Sequence, residues 1–185
     1  GFCNAHAHAA MSLFRGIADD LPLDQWLNER IFPMEDHLTP DDMYWGAMLQ
    51  IAEYVRGGIT CFADMYFYVD SVFQAAKNAN LCIALCGGST SDSEGDILRF
   101  IEDCYAKYNT MSDRIRYFPG LHAEYTCTES LIAKVADFAA ECGAKTYIHL
   151  SETLKEVGEC TVRHNGLTPP QYLHKLGFFD NGGIA

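Results

Sequence analysis

The chain has 185 residues, 49% of them hydrophobic and 12% aromatic, enough apolar surface for a buried core and too much for disorder or a collagen-like repeat. Thirteen Lys and Arg against 25 Asp and Glu leave a net charge of -12, which repels phosphate backbones and anionic bilayers, so neither nucleic acid nor membrane is an expected partner. Apolar runs such as residues 81–85 are too short to cross a bilayer and no signal-type segment opens the chain, so a cytoplasmic protein is expected.

In chain order, residues 1–6 are predicted as a strand. Residues 9–38, with Gly16, Asp19, Asp20, Trp26 and Pro33, are long for a connection and are predicted as a functional loop holding a short helix near 23–30. A helix over 40–56, opened by Thr39 and Asp41 with Pro40 in its first turn, stops at Gly57-Gly58 before a strand over 59–65. The same alternation continues through a helix at 69–78, a strand at 81–87 and a helix at 94–108. After these come a strand at 115–121, a helix at 128–142, a strand at 145–150 and a helix at 153–165, while 182–185 begins another strand.

Strands alternating with helices mean an α/β fold with a parallel sheet. Five βα units and the start of a sixth strand make an incomplete (β/α)8 barrel of the TIM type, whose full form takes about 250 residues. Residues 1–185 are therefore expected to be one partial catalytic barrel, a piece of a longer protein. The eight Cys sit mostly in apolar stretches without CxxC pairing, and are expected as buried thiols rather than as a disulfide framework.

The chemistry-bearing residues lie at strand ends. His6 and His8, separated by Ala7, project to one face of an extended strand and could grip one ion or form a hydrogen-bonded structural pair. His149 ends the run Thr146-Tyr147-Ile148, at the rim where a barrel places catalytic groups; a satisfied core histidine is its alternative. Glu152, three residues on, is close enough to shuttle protons for a metal-activated water, or to serve as a helix-capping carboxylate near Thr153. His122 ends another strand and either binds substrate or caps that strand, whereas His37, His164 and His174 fall in loops or on polar helix faces.

The segments GFCNAHAHAAMSLFRGIADDLPLDQWL, IFPMED, GGITCFADMY, LHAEYTCT and IHLSETLKEV together span nearly the whole chain. They resemble the amidohydrolase superfamily, and within it the branch of 5-methylthioadenosine/S-adenosylhomocysteine deaminases with related chlorohydrolases. The resemblance implies that His6, His8 and His149 are metal ligands, that the ion is a single divalent cation, zinc by family habit, and that Glu152 is the acid/base residue. It further implies that Glu35, in IFPMED, binds the ribose hydroxyls, that His122 contacts substrate near the attacked carbon, and that Arg99 meets a substrate carboxylate. A second family arginine has no counterpart in CGGSTSDS, which counts against a carboxylate-bearing substrate. The implied reaction is metal-dependent hydrolytic deamination of an adenine-type nucleoside (5'-methylthioadenosine, S-adenosylhomocysteine or adenosine) to its inosine analogue and ammonia, with homodimers as the family's habit.

Alternatives stay open at this point: triazine chlorohydrolase or guanine-type deaminase chemistry on the same machinery, or a catalytically inactive piece. A further His, a metal-binding Asp, the last barrel strands and a flanking β-sandwich are expected to lie outside these residues, and the fragment by itself is expected to be inactive.

Overall fold

A computed structural model describes residues 1–18, 20–91 and 94–185. Asp19, in the long connection after the first strand, and Asp92 and Ser93, at the end of CGGSTSDS, lie outside the described residues. The described residues divide into two compact units, Gly1–Ile83 and Ala84–Ala185.

In the first unit β1 (Phe2–Ala7) pairs in parallel with β2 (Ile59–Met65), with Cys3 opposite Cys61 and Ala7 opposite Asp64. Between them runs α3 (Pro40–Arg56), with Pro40 in the first turn. Thr39 caps it, accepting from the Asp42 amide while the Asp42 carboxylate accepts from the Thr39 amide, so two otherwise orphaned donors are satisfied reciprocally. Met43, Ala47, Ile51 and Tyr54 recur at helical spacing and are all buried. After β2, α4 (Val69–Asn78) buries Val69, Val72, Phe73 and Ala76 in the same manner. β3 (Cys82–Cys86) opens beside β2 in this unit.

The segment following β1 is a 3-10 helix over Ala9–Phe14, laid against α3 at Gly46. A Cβ on Gly46 would stand 2.6 Å from the Ala10 carbonyl, so only glycine permits this approach, and the Ser12 hydroxyl adds to the contact by donating to the Gly46 carbonyl at 2.7 Å. The short helix expected near 23–30 runs further. It consists of α1 (Leu23–Trp26), a π-helical turn (Leu27–Ile31) and α2 (Phe32–Glu35). Pro33 has no N–H with which to continue an i to i-4 ladder, and the ladder has already widened, the Phe32 amide donating to the Leu27 carbonyl.

In the second unit β3 ends beside β4 (Ile115–Tyr117), after which come β5 (Gly120–Ala123), β6 (Thr146–His149) and β7 (Gly183–Ile184), ordered β5-β6-β7 and parallel. Their crossovers are α5 (Glu94–Tyr108), α6 (Glu129–Cys142), and the pair α7 (Leu154–Arg163) and α8 (Pro169–Lys175). Leu121, Leu131, Ile132, Val135, Tyr147, Ile148, Leu173 and Phe178 are buried and form the core of this unit.

The architecture is α/β with parallel strands, as expected, and no closed barrel is found among the described residues. The strand expected over 115–121 is instead two. Phe118 donates to Leu85 of β3, whereas the Pro119 carbonyl accepts from Tyr147 of β6, so the chain changes partners at a residue that has no N–H to give. α8 was not anticipated, although its signal is in the sequence: Thr168 and Gln171 form a capping box around Pro169. The expectation of buried thiols holds for Cys86, Cys104 and Cys160 and fails for Cys3 and Cys142, which are exposed.

Candidate functional site

In the first unit the site is organised by the C-terminal end of β2. His6 lies within β1 and His8 one residue past it, their rings edge-on with centroids 5.1 Å apart. The Met65 carbonyl sits 2.6 Å from His8 Nδ1. A carbonyl only accepts, so Nδ1 carries the hydrogen and the lone pair lies on Nε2, the arrangement that metal-ligating imidazoles use. Burial pushes the His8 pKa down, against the Met65 bond, which favours the neutral ring that ligates. The neighbouring Asp64 is fully buried and accepts the Ala9 amide at 2.6 Å; burial pushes its carboxyl up to about 7. Consecutive residues of β2 thus fix both the His8 ring and the backbone that follows it.

Glu35 ends α2, half-buried, and accepts the phenol of Tyr66. Burial raises the Glu35 pKa, with the Tyr66 bond working against it. Tyr66 directly follows β2; its ring stacks on Phe67 at 4.3 Å and lies 5.9 Å from the His8 ring. Sequence reasoning overlooked Asp64 and Tyr66. An acid inside the apolar run CFADM was the available signal for the first, whereas nothing local marks the second.

In the second unit His149 is the last residue of β6 and is buried, and its ring meets His122 of β5 edge-on at 5.2 Å. His122 Nδ1 lies 3.1 Å from the Thr126 hydroxyl, which also bonds the Ala123 backbone. Glu152 stands exposed three residues beyond His149, after Ser151, whose φ of 59° is in the left-handed region. That turn is held by Glu156, a buried carboxylate accepting from the Ser151 amide at 2.9 Å and the Glu152 amide at 2.7 Å. Thr153 is the N-cap of α7, accepting from the Glu156 amide at 3.0 Å. The capping alternative for Glu152 is thereby taken by Thr153 and Glu156. Arg99 is exposed in the second turn of α5.

A different donor group meets in this unit: Glu124, Cys160 and His164 bring ligand atoms within 4.8 Å of one another. Glu124 is 3% exposed, and its two oxygens accept from Arg163 and pair with His164 Nε2, each at 2.7 Å. His164, in the turn just past α7, stacks on Tyr172 at 3.4 Å, so it is a packed turn residue rather than a solvated one; His37 and His174 are exposed. Burial raises the Glu124 pKa, but the bonds from Arg163 and His164 outweigh it and leave the carboxyl below its usual range. With a guanidinium already supplying the positive charge, this group is an ion-paired clasp between α7 and the turn after β5 rather than a cation site.

A model of the amidohydrolase family matches residues 1–183. The chain is 42% identical over 183 residues to a 5-methylthioadenosine/S-adenosylhomocysteine deaminase of Dictyoglomus thermophilum, covering 97% of this chain and 43% of the relative. It is 43% identical over 193 residues to a 5'-deoxyadenosine deaminase of Methanothermobacter thermautotrophicus, covering 100% of this chain and 44% of that one. Among solved structures it is similar to an adenosine deaminase from Xanthomonas campestris with bound zinc, at 28% identity and a TM-score of 0.87, covering 97% of this chain and 42% of the other. The chain thus spans less than half the length of the relatives it matches.

Proposed function

Because the chain belongs to the amidohydrolase family, we propose that it carries part of the active site of a metal-dependent deaminase of adenine-type nucleosides. The observation that carries this reading is 42% identity to a named deaminase across 97% of the chain. The His8 tautomer, set by the Met65 carbonyl, supports it.

In this reading His6, His8 and His149 hold one divalent ion, zinc by analogy with the bound zinc of the Xanthomonas relative. When bound, the ion would supply Lewis-acid activation of a water at neutral pH. The donor set fits it: three imidazoles, one of them with its ring nitrogen fixed by a backbone acceptor. Glu152 accepts a proton from the attacking water, passes it to the ring nitrogen beside the attacked carbon, and delivers the next to the departing amine. Nucleoside and water thus become the inosine analogue and ammonia. His122, its ring steadied by Thr126, orients the base, and Glu35 accepts the ribose hydroxyls. Arg99 is proposed to meet the carboxylate when S-adenosylhomocysteine is the substrate.

The test is the ultraviolet change from adenine to hypoxanthine when intact zinc-loaded protein meets 5'-methylthioadenosine, S-adenosylhomocysteine and adenosine in parallel. Loss of the adenine band supports the reading and ranks the substrates. Metal-loaded protein inert to all three overturns it in favour of chlorohydrolase or guanine-type chemistry. Glu152→Gln is expected to keep its metal and lose turnover by about 10²- to 10⁴-fold; retained turnover removes Glu152 from this role.

A further inference from the structure

Tyr66 has no part in the chemistry above, yet its phenol is bonded to the residue proposed to read the sugar. We propose that Tyr66 is a positioning residue that gives the site its selectivity for a nucleoside with a vicinal 2',3'-diol, by holding the Glu35 carboxylate through its phenol. The proposal rests on the reading of Glu35 as the ribose acceptor.

Glu35 is the last residue of α2, where the helical run that starts at Leu23 ends, and a glutamate at a helix end keeps several rotamers unless something pins it. Tyr66 is suited to pin it. It is 8% exposed, stacked on Phe67, and attached to the same strand end that holds His8. The phenol donates one hydrogen to one carboxylate oxygen. A carboxylate offers about four acceptor positions, so two neighbouring hydroxyls can still be received. The donor is also neutral. An arginine there, as Arg163 is to Glu124, would compensate the charge that makes hydroxyl-to-carboxylate bonds strong.

The products inosine and 2',3'-dideoxyinosine measure this without turnover, by calorimetry on the intact, metal-loaded protein. Wild type is expected to prefer the diol, Tyr66→Phe to lower that preference roughly ten-fold, and Glu35→Gln to lower it at least as much. The double variant is expected to lose no more than Glu35→Gln alone, because the phenol acts through the carboxylate. In adenosine turnover, KM rises more than kcat falls. Equal weakening of both nucleosides in Tyr66→Phe, additive losses in the double variant, or a wild type indifferent to the diol would each overturn the assignment. A wild type that prefers the diol yet deaminates nothing overturns the deaminase reading alone, and the same ratio then still decides the role of Tyr66. Should Tyr66→Phe fail to fold, Glu35→Gln carries the comparison: an undiminished diol preference there overturns the proposal.

Discussion

At the scale of single residues, two groups around His8 act in ways that a residue type alone does not announce. The Met65 carbonyl selects the His8 tautomer, and Asp64 holds the Ala9 amide at the cost of burying a carboxyl. Because the folded-state pKa of Asp64 is raised to about 7 from an ordinary 3.8, the folded chain binds this proton more tightly than the unfolded one. Its contribution is therefore fully present below about pH 4, is lost as pH rises through about 7, and stays flat above. Urea unfolding of metal-free protein is expected to show stability falling over that window. Asp64→Asn keeps an oxygen for the Ala9 amide and flattens the curve; an unchanged slope assigns the pH dependence elsewhere. The histidines, Glu152 and Glu35 were legible in the sequence through spacing and resemblance. Asp64, Tyr66, Thr126 and Glu156 were not, since each acts through a partner brought close only by the fold.

Among the elements, the turn from β6 into α7 shows how capping chemistry can serve a site. Thr153 and Glu156 satisfy the first amides of α7 and its approach, and the same Glu156 bonds hold Ser151 in a left-handed conformation that a non-glycine residue rarely adopts. Removing that carboxylate frees Glu152. Glu156→Ala is expected to cost about 2–3 kcal/mol in urea unfolding, from two amides left without their acceptor. It is also expected to lower kcat 10- to 100-fold with a smaller change in KM; an equal effect on both would make Glu156 merely structural. Helix limits were read well from the sequence, α3, α4 and α5 falling on the predicted residues, because caps and apolar spacing are local. The π-helical turn before Pro33 and the strand break at Pro119 escaped, since each depends on which distant carbonyl the chain finds.

Across the chain, strand order is decided at a few points of very close approach. In the second unit Gly120 lies between β3 and β6: a Cβ there would stand 2.3 Å from the Tyr147 carbonyl and 2.6 Å from Cys86 Sγ. Neither backbone nor buried thiol can yield, so Gly120→Ala is expected to destabilise by about 2 kcal/mol or more, read as a lowered urea midpoint. Gly95→Ala in α5, with nothing within 4 Å of the added carbon, is the control, expected to lie within about 1 kcal/mol of wild type. Comparable midpoints for the two variants would mean that the strands separate readily at Gly120. No helix among the described residues is long and apolar enough to cross a membrane, in keeping with the short apolar runs of the sequence.

The sequence by itself determined the α/β alternation and most helix boundaries, because those follow from periodicity and capping, which are local in the chain, and it offered the His and Glu residues on which the functional proposal rests through spacing and family resemblance. Only the tertiary structure decided what each of them leans on. The tautomer of His8, the phenol against Glu35, the carboxylate behind Glu152 and the ion-paired surroundings of His164 come from residues 30 to 60 positions apart or from the geometry of a single turn. Hydrogen bonds and burial act through space, and spacing along the chain carries no record of them.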